Sequence, residues 1–138
     1  MLLTSLCNLC IATIGLHVGS AHIAPSEDLR GTLNGVNPGA YVVLNNGFTV
    51  GGYYNSFRRN SVYAGWTFYG PKLGPFTPSI EVGGITGYSD GNKPMLAVVP
   101  SIETPIGDSG LYARVSYVPK VSYTRVHTVH LSLEWKFK

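Results

Sequence analysis

Charge is what this chain has least of. Only 12% of its 138 residues are Asp, Glu, Lys or Arg, about half the share usual in a soluble globular domain. With 44% hydrophobic residues, that scarcity excludes intrinsic disorder, which needs low hydrophobicity and much charge. It also excludes a long coiled-coil helix, which would be rich in Ala, Glu, Lys and Leu. The net charge of +3 comes from scattered Lys and Arg, so no basic stripe points to nucleic acid. Cysteine is nearly absent. Cys7 and Cys10 both lie in the first ten residues, which leaves no disulfide framework for the body of the chain. Their CxxC spacing lacks the second pair of a metal site and the βαβ setting of a redox motif, so both read as apolar filler. A lipoprotein signal is not expected either, because Leu6 and Leu9 precede the cysteines where a small residue would stand. No Gly-rich phosphate loop, GxSxG elbow or HExxH is present, and neither a metal nor a cofactor is expected. Apart from the N-terminal segment, no run approaches the roughly 18 apolar residues of a membrane helix.

What is present is Gly (17 residues), Pro (9) and Tyr (9), the makings of short strands, tight turns and interfacial aromatics. Segments of about ten residues, cut by Gly, Pro, Asn and Asp, read as strands: Pro38 to Leu44, Phe48 to Asn55, Ser61 to Tyr69, Phe76 to Thr86, Met95 to Thr104, Leu111 to Val118 and Val126 to Phe137. A single-chain bacterial membrane barrel normally has an even number of strands, so Ile14 to His22 is wanted as the eighth. Residues 1–12, apolar and uncharged, then form a leader that is short and lacks a positive n-region. Residues 13–138 form the single domain. The alternative is a leader running to Ala21 and a sheet built differently.

Alternation favours a barrel in a membrane. In the last strand Val129, Leu131, Leu133, Trp135 and Phe137 share one face, and Thr128, His130, Ser132, Glu134 and Lys136 share the other. The first set suits lipid and the second a polar lumen. The same rule sends Leu111, Ala113, Val115, Tyr117, Ile80, Val82, Leu96, Val98 and Ile102 outward, and Arg114, Ser116, Glu81 and Glu103 inward. Three carboxylates and one Arg therefore converge on the lumen, where they can pair. A soluble lipocalin-like barrel would reverse the faces. His127 and His130, three apart on a strand, face opposite ways and cannot share a metal, and His17 lies within the first strand. The reading is all-β: an eight-stranded antiparallel up-and-down transmembrane β-barrel. Its long loops gather at the external end and its short turns, such as Asn45-Asn46-Gly47 and 106–110, at the other. Terminal Trp135 and Phe137, with Lys138 one residue beyond, resemble the signal read by the outer-membrane assembly machinery.

Four segments in order carry a further resemblance: Asn34-Gly35-Val36-Asn37-Pro38-Gly39, Tyr54-Asn55-Ser56-Phe57, Tyr63-Ala64-Gly65-Trp66, and the pair Val99-Pro100 and Tyr117-Val118-Pro119. Together they resemble the lipid A palmitoyltransferase (PagP) family and related small outer-membrane barrels, over most of the chain after about residue 14. The resemblance implies acyl transfer or ester cleavage on lipid A or phospholipid in the cell outer membrane, by a monomer. It places Ser56 on the family's catalytic Ser, His22 on its His, Gly65 at the floor of its acyl pocket, and Pro100 and Pro119 where lipid enters from the side. Asn55 replaces the family's Asp. A neutral amide cannot stabilise an imidazolium as a carboxylate does. Three outcomes stay open: the Asp is dispensable, another carboxylate such as Asp28 substitutes, or the barrel has a structural, binding or surface-masking role without chemistry.

Overall fold

Strands that alternate apolar and polar residues bury one face only if the sheet closes on itself, and this one does. The computed structural model describes residues 7–88, 93–121 and 124–137. Within them eight strands run β1 (Ile11–Ile23), β2 (Val36–Leu44), β3 (Phe48–Tyr54), β4 (Asn60–Tyr69), β5 (Thr77–Ile85), β6 (Met95–Pro105), β7 (Leu111–Val118) and β8 (His127–Lys136). Each pairs antiparallel with its neighbours in chain order, and β1 closes the barrel against β8. The expected strands are all present, with ends shifted by up to three residues. The largest shift is at β1, which begins at Ile11 because Leu44 of β2 is there to pair with it. Loops 24–35 and 55–59 share one end of the barrel with residues 86–88, 93–94, 119–121 and 124–126. The opposite end carries turns 45–47, 70–76 and 106–110. Residues 89–92, in the connection between β5 and β6, lie outside the described residues, as do 122–123, Met1 to Leu6 of the expected leader and Lys138.

The faces fall as the alternation requires. Val62, Trp66, Phe68, Leu96, Ile102 and Leu131 are exposed, while Thr128, His130, Ser132, Glu134, Arg114, Ser116 and Glu103 are buried. An apolar exterior around a polar interior is the arrangement of a barrel in lipid, where every strand backbone group must also find a partner within the sheet. The soluble alternative, with its faces reversed, is excluded. Exposed aromatics concentrate toward the turn end, at Trp66, Phe68, Phe76, Trp135 and Phe137, as a girdle at a membrane interface would.

The lumen is too narrow to hold water throughout, so side chains fill its turn end. Arg114 Nη1 lies 3.1 Å from Glu134 Oε1, and Lys136 Nζ lies 2.5 Å from Glu103 Oε1. Tyr41 donates its hydroxyl to Glu134, and Lys136 sits over the rings of Tyr69 and Tyr112. Tyr41, Val43, Tyr63 and Ile85 form the apolar part of the core. Glycine makes room for it. A Cβ on Gly15 would fall 2.1 Å from the Tyr41 ring, so the large residue on β2 is accommodated by the absent one on β1.

One expectation is overturned. Cys7 and Cys10 are not filler but a disulfide. The Cys10 N–H donates to the Cys7 carbonyl (3.2 Å), and a turn of that spacing leaves the Cα atoms 5.3 Å apart, within reach of a bridge. The turn docks on the β2–β3 hairpin, where the Asn45 side chain donates to the Cys7 carbonyl (2.8 Å) and the Asn46 N–H to that of Asn8 (3.1 Å).

Candidate functional site

At the loop end, His22 Nε2 lies 2.7 Å from Ser56 Oγ. With the proton on Nδ1, the serine hydroxyl donates to Nε2, the arrangement in which an imidazole can withdraw its proton. Ser56 is buried, at 7% exposure. Two local features produce this meeting of residues 34 positions apart. The first is a β-bulge in β1. His17 pairs with Ser132 and Ser20 with His130, and the register slips between His17 and Gly19. In a regular strand His17 and His22, five apart, would face opposite ways. The bulge adds one residue and turns both inward.

The second feature is stitching between loops. Ser20 donates its hydroxyl to Asn37 Oδ1 (2.6 Å), and Asn37 Nδ2 donates to the Tyr54 carbonyl (2.8 Å). The Asn34 N–H donates to the Ser56 carbonyl (2.8 Å). These bonds hold the start of β2 against the chain that carries Ser56.

Asn55 is fully buried, at 0% exposure, and both ends of its amide are used. Its Oδ1 accepts from the backbone N–H groups of Phe57 (2.9 Å) and Arg59 (3.1 Å). Its Nδ2 donates to Ser61 Oγ and to the Gly87 carbonyl, each at 2.9 Å. The residue shapes the 55–59 loop and ties it to β4 and to the segment after β5. None of these four bonds goes to His22. Asp28, the other carboxylate considered, accepts from Ser26 and pairs with Arg125 of the loop before β8. Hydrogen bonding to Ser26, and then Arg125, holds its carboxyl below the usual value. Among the described residues, no carboxylate is hydrogen-bonded to His22.

Beneath this pair the lumen opens into a cavity of about 410 Å³, lined in part by Tyr41, Tyr53, Tyr63, His17, Glu81 and Arg114. That volume is in the range of sites for one small ligand. A much smaller recess beside Ser56 shares Tyr53, Tyr88, Val118, Thr124 and His130 with the cavity wall. The hydroxyls of Tyr53 and Tyr88, 2.5 Å apart, stand between the two.

The cavity also reaches the barrel wall. β6 pairs with β5 along its length from Met95 to Glu103, and with β7 from Ser101↔Ser116 to Pro105↔Tyr112. Pro100, which has no N–H to donate, stands where that ladder stops. Pro119 follows the end of β7 and lines the cavity, together with Leu96 and Val98 on the outer face of β6 and Val121 of the following loop. Gly65 faces inward, opposite Gly83 of β5. A Cβ there would fall 2.2 Å from the Val82 carbonyl oxygen and 2.6 Å from the Gly83 Cα. The two glycines let β4 and β5 approach closely, and Gly83 rather than Gly65 lines the cavity.

Sequence reasoning passed over the residues at the cavity's centre. His17 Nδ1 lies 3.0 Å from His130 Nε2 and 3.2 Å from Ser132 Oγ, and His17 Nε2 lies 2.7 Å from the Tyr63 hydroxyl. Spacing along β8 relates His130 to His127 alone and gives no hint of its neighbour on β1. The available signal was two inward candidates, His17 and His22, at an odd separation with Gly19 between them.

No protein-family model and no curated protein matches the chain. Among solved structures it is similar to the solution NMR structure of the de novo designed TMB2.3, a transmembrane eight-stranded β-barrel. The TM-score is 0.59, over 94% of this chain and 97% of that one. The fold is that of a transmembrane β-barrel. At 15% identity the likeness extends to the fold alone, so chemistry has to be argued from the Ser56–His22 pair and the cavity below it.

Proposed function

We propose that this barrel lies in a bacterial outer membrane, as a monomer, and transfers or hydrolyses an acyl group of lipid A or a phospholipid, as the PagP-like resemblance implies. The observation that carries the reading is the 2.7 Å contact between His22 Nε2 and Ser56 Oγ, placed over a lumenal cavity that is open toward lipid. Ser56 Oγ attacks the ester carbonyl and passes its proton to His22. The bond from the carbonyl carbon to the departing alcohol breaks, and His22 returns the proton to that oxygen. An acceptor hydroxyl or water, deprotonated by His22 in turn, then releases the acyl group from Ser56. The acyl chain enters between β6 and β7, beside Pro100 and Pro119, and rests in the cavity. To reach Ser56 it passes Tyr53 and Tyr88, whose hydroxyls must separate. Gly65 contributes by letting β4 and β5 approach closely, beside Gly83, which lines the cavity.

A second reading is favoured by a specific observation. Asn55 is consumed by loop hydrogen bonds and, among the described residues, no carboxylate is hydrogen-bonded to His22, as expected of a barrel that binds or masks without chemistry. Expression in a Gram-negative host lacking its own palmitoyltransferase, with mass spectrometry of lipid A, separates the two. A gained or lost acyl chain that disappears in Ser56→Ala and in His22→Ala supports the enzyme. Unchanged lipid A beside heat-modifiable, folded protein in the outer membrane supports the non-catalytic barrel.

A further inference from the structure

The two ends of the barrel differ in charge. Six of the chain's ten Lys and Arg residues stand exposed at the loop end: Arg30, Arg58, Arg59, Lys93, Lys120 and Arg125. Among the described residues the acids there are Glu27 and Asp28, and at the turn end exposed Lys72 and Asp108 cancel. Strands that span the hydrocarbon leave both ends of a barrel at the depth of the lipid headgroups. The loop end therefore meets its leaflet as a cation, and the turn end does not.

Arg58 and Arg59 are set apart within this collar by how they are held. Arg125 is committed to Asp28, whereas among the described residues no carboxylate pairs with Arg58 or Arg59. Their backbone is braced. The Arg58 N–H donates to the Asn55 carbonyl (3.1 Å), the Arg59 N–H to Asn55 Oδ1 (3.1 Å), and the Asn55 N–H to the Arg59 carbonyl (2.8 Å). Arg58 is kept at a φ of 62°, a left-handed conformation that is unfavourable for any residue but Gly and persists where the surroundings over-determine it. A fixed turn thus presents two unpaired guanidinium groups, two and three residues after Ser56.

We infer that Arg58 and Arg59 bind the phosphate of an anionic lipid headgroup. A guanidinium offers a planar fork of N–H donors that matches phosphate oxygens, and a turn already fixed loses little entropy when the phosphate arrives. Such a site deepens the function proposed above. In a glycerophospholipid the phosphate and an acyl ester sit on neighbouring carbons, so holding the one brings the other toward Ser56. The site rests on that reading for its placement at the membrane alone, not for chemistry at Ser56.

Native mass spectrometry of the full chain carrying Ser56→Ala, refolded in detergent micelles, counts bound lipids without turnover. The chain is titrated with dioleoyl phosphatidic acid and with dioleoyl phosphatidylcholine, whose choline neutralises the phosphate. The first phosphatidic acid should bind about tenfold more tightly, within the worth of two arginines at a membrane surface. That preference should fall to about twofold or less when Arg58→Gln and Arg59→Gln are combined, which keeps the backbone bonds of the turn, and should remain in Lys72→Gln at the other end. It should also shrink as ammonium acetate is raised, a readout that needs no change at either arginine. Equal affinity for the two lipids, a preference indifferent to salt, one that survives the double substitution, or one lost equally in Lys72→Gln overturns the inference. So does displacement of the bound lipid by inorganic phosphate at equal concentration, which would make the ligand a free anion. Failure of lipid A acylation with an intact phosphate preference would remove the enzyme and leave the headgroup site standing.

Discussion

Replacing Asn55 separates two accounts of the site. If the position exists to orient His22, then Asn55→Asp restores a carboxylate and should raise activity. The hydrogen bonds say otherwise. Oδ1 accepts from two backbone N–H groups, and Nδ2 donates to Ser61 Oγ and the Gly87 carbonyl, at a site with 0% exposure. An aspartate keeps the first pair, can accept from a rotated Ser61 hydroxyl, and sets a carboxylate oxygen against the Gly87 carbonyl oxygen. The expected cost is about 2–3 kcal/mol at neutral pH, from the lost donation to Gly87 and the burial of a charge against a carbonyl oxygen. Asn55→Ala leaves all four partners unmet, and with partial relaxation of the loop should cost about 2–4 kcal/mol.

Urea titration of the refolded protein in lipid vesicles, read by the fluorescence of Trp66 and Trp135, measures both. The aspartate penalty should also depend on pH. Burial and the facing carbonyl raise the folded-state pKa of the introduced acid above its unfolded value. The variant is therefore closest to wild type below the unfolded pKa, where the acid is protonated and can donate, and falls behind as pH rises through the folded value. If Asn55→Ala lies within about 0.5 kcal/mol of wild type, the margin for a neutral surface change, the loop-shaping account fails. If Asn55→Asp gains activity without losing stability, the orienting account replaces it.

Three further substitutions test the frame. Gly65→Ala should destabilise the barrel by about 1–3 kcal/mol, because its Cβ meets β5 backbone rather than a side chain that can move. A stable variant that accepts only shorter chains would restore Gly65 as a pocket floor. Arg114→Met leaves Glu134, with 0% side-chain exposure, as an unpaired buried charge. The expected loss is about 3–5 kcal/mol, checked by the same unfolding titration and contradicted by a change under about 1 kcal/mol. At the loop end, Asp28 has its carboxyl held below its ordinary value of 3.8 by Ser26 and then Arg125. A depressed carboxylate contributes above its unfolded pKa and stops contributing as pH falls through its folded one. Spin labels at Glu27 and Lys120 should therefore report the two loops together at neutral pH and separated in strong acid. They should also separate in Asp28→Asn and at high salt. A distance unchanged by acid, salt and substitution would show that the ion pair holds nothing.

Much of the fold was legible in the sequence because a strand's side-chain period is two and a membrane barrel obeys it on both faces. Val129 to Phe137 against Thr128 to Lys136 already separated lipid from lumen, and the chemistry of Glu81, Glu103, Glu134 and Arg114 required that they be gathered inside. Gly and Asn signals located the turns for local reasons of backbone conformation. What the period could not reveal is where it breaks. The bulge between His17 and Gly19 shifts β1 by one residue, and only that shift lets His17 join His130 while His22 reaches Ser56. The job of Asn55 was equally hidden, since its partner Gly87 lies 32 residues away and meets it only across the closed sheet. The reach of the cavity to the outer surface depends on where β7 stops pairing with β6. That end point is settled by the register around the whole barrel and by a proline without an N–H, not by any residue's own preference.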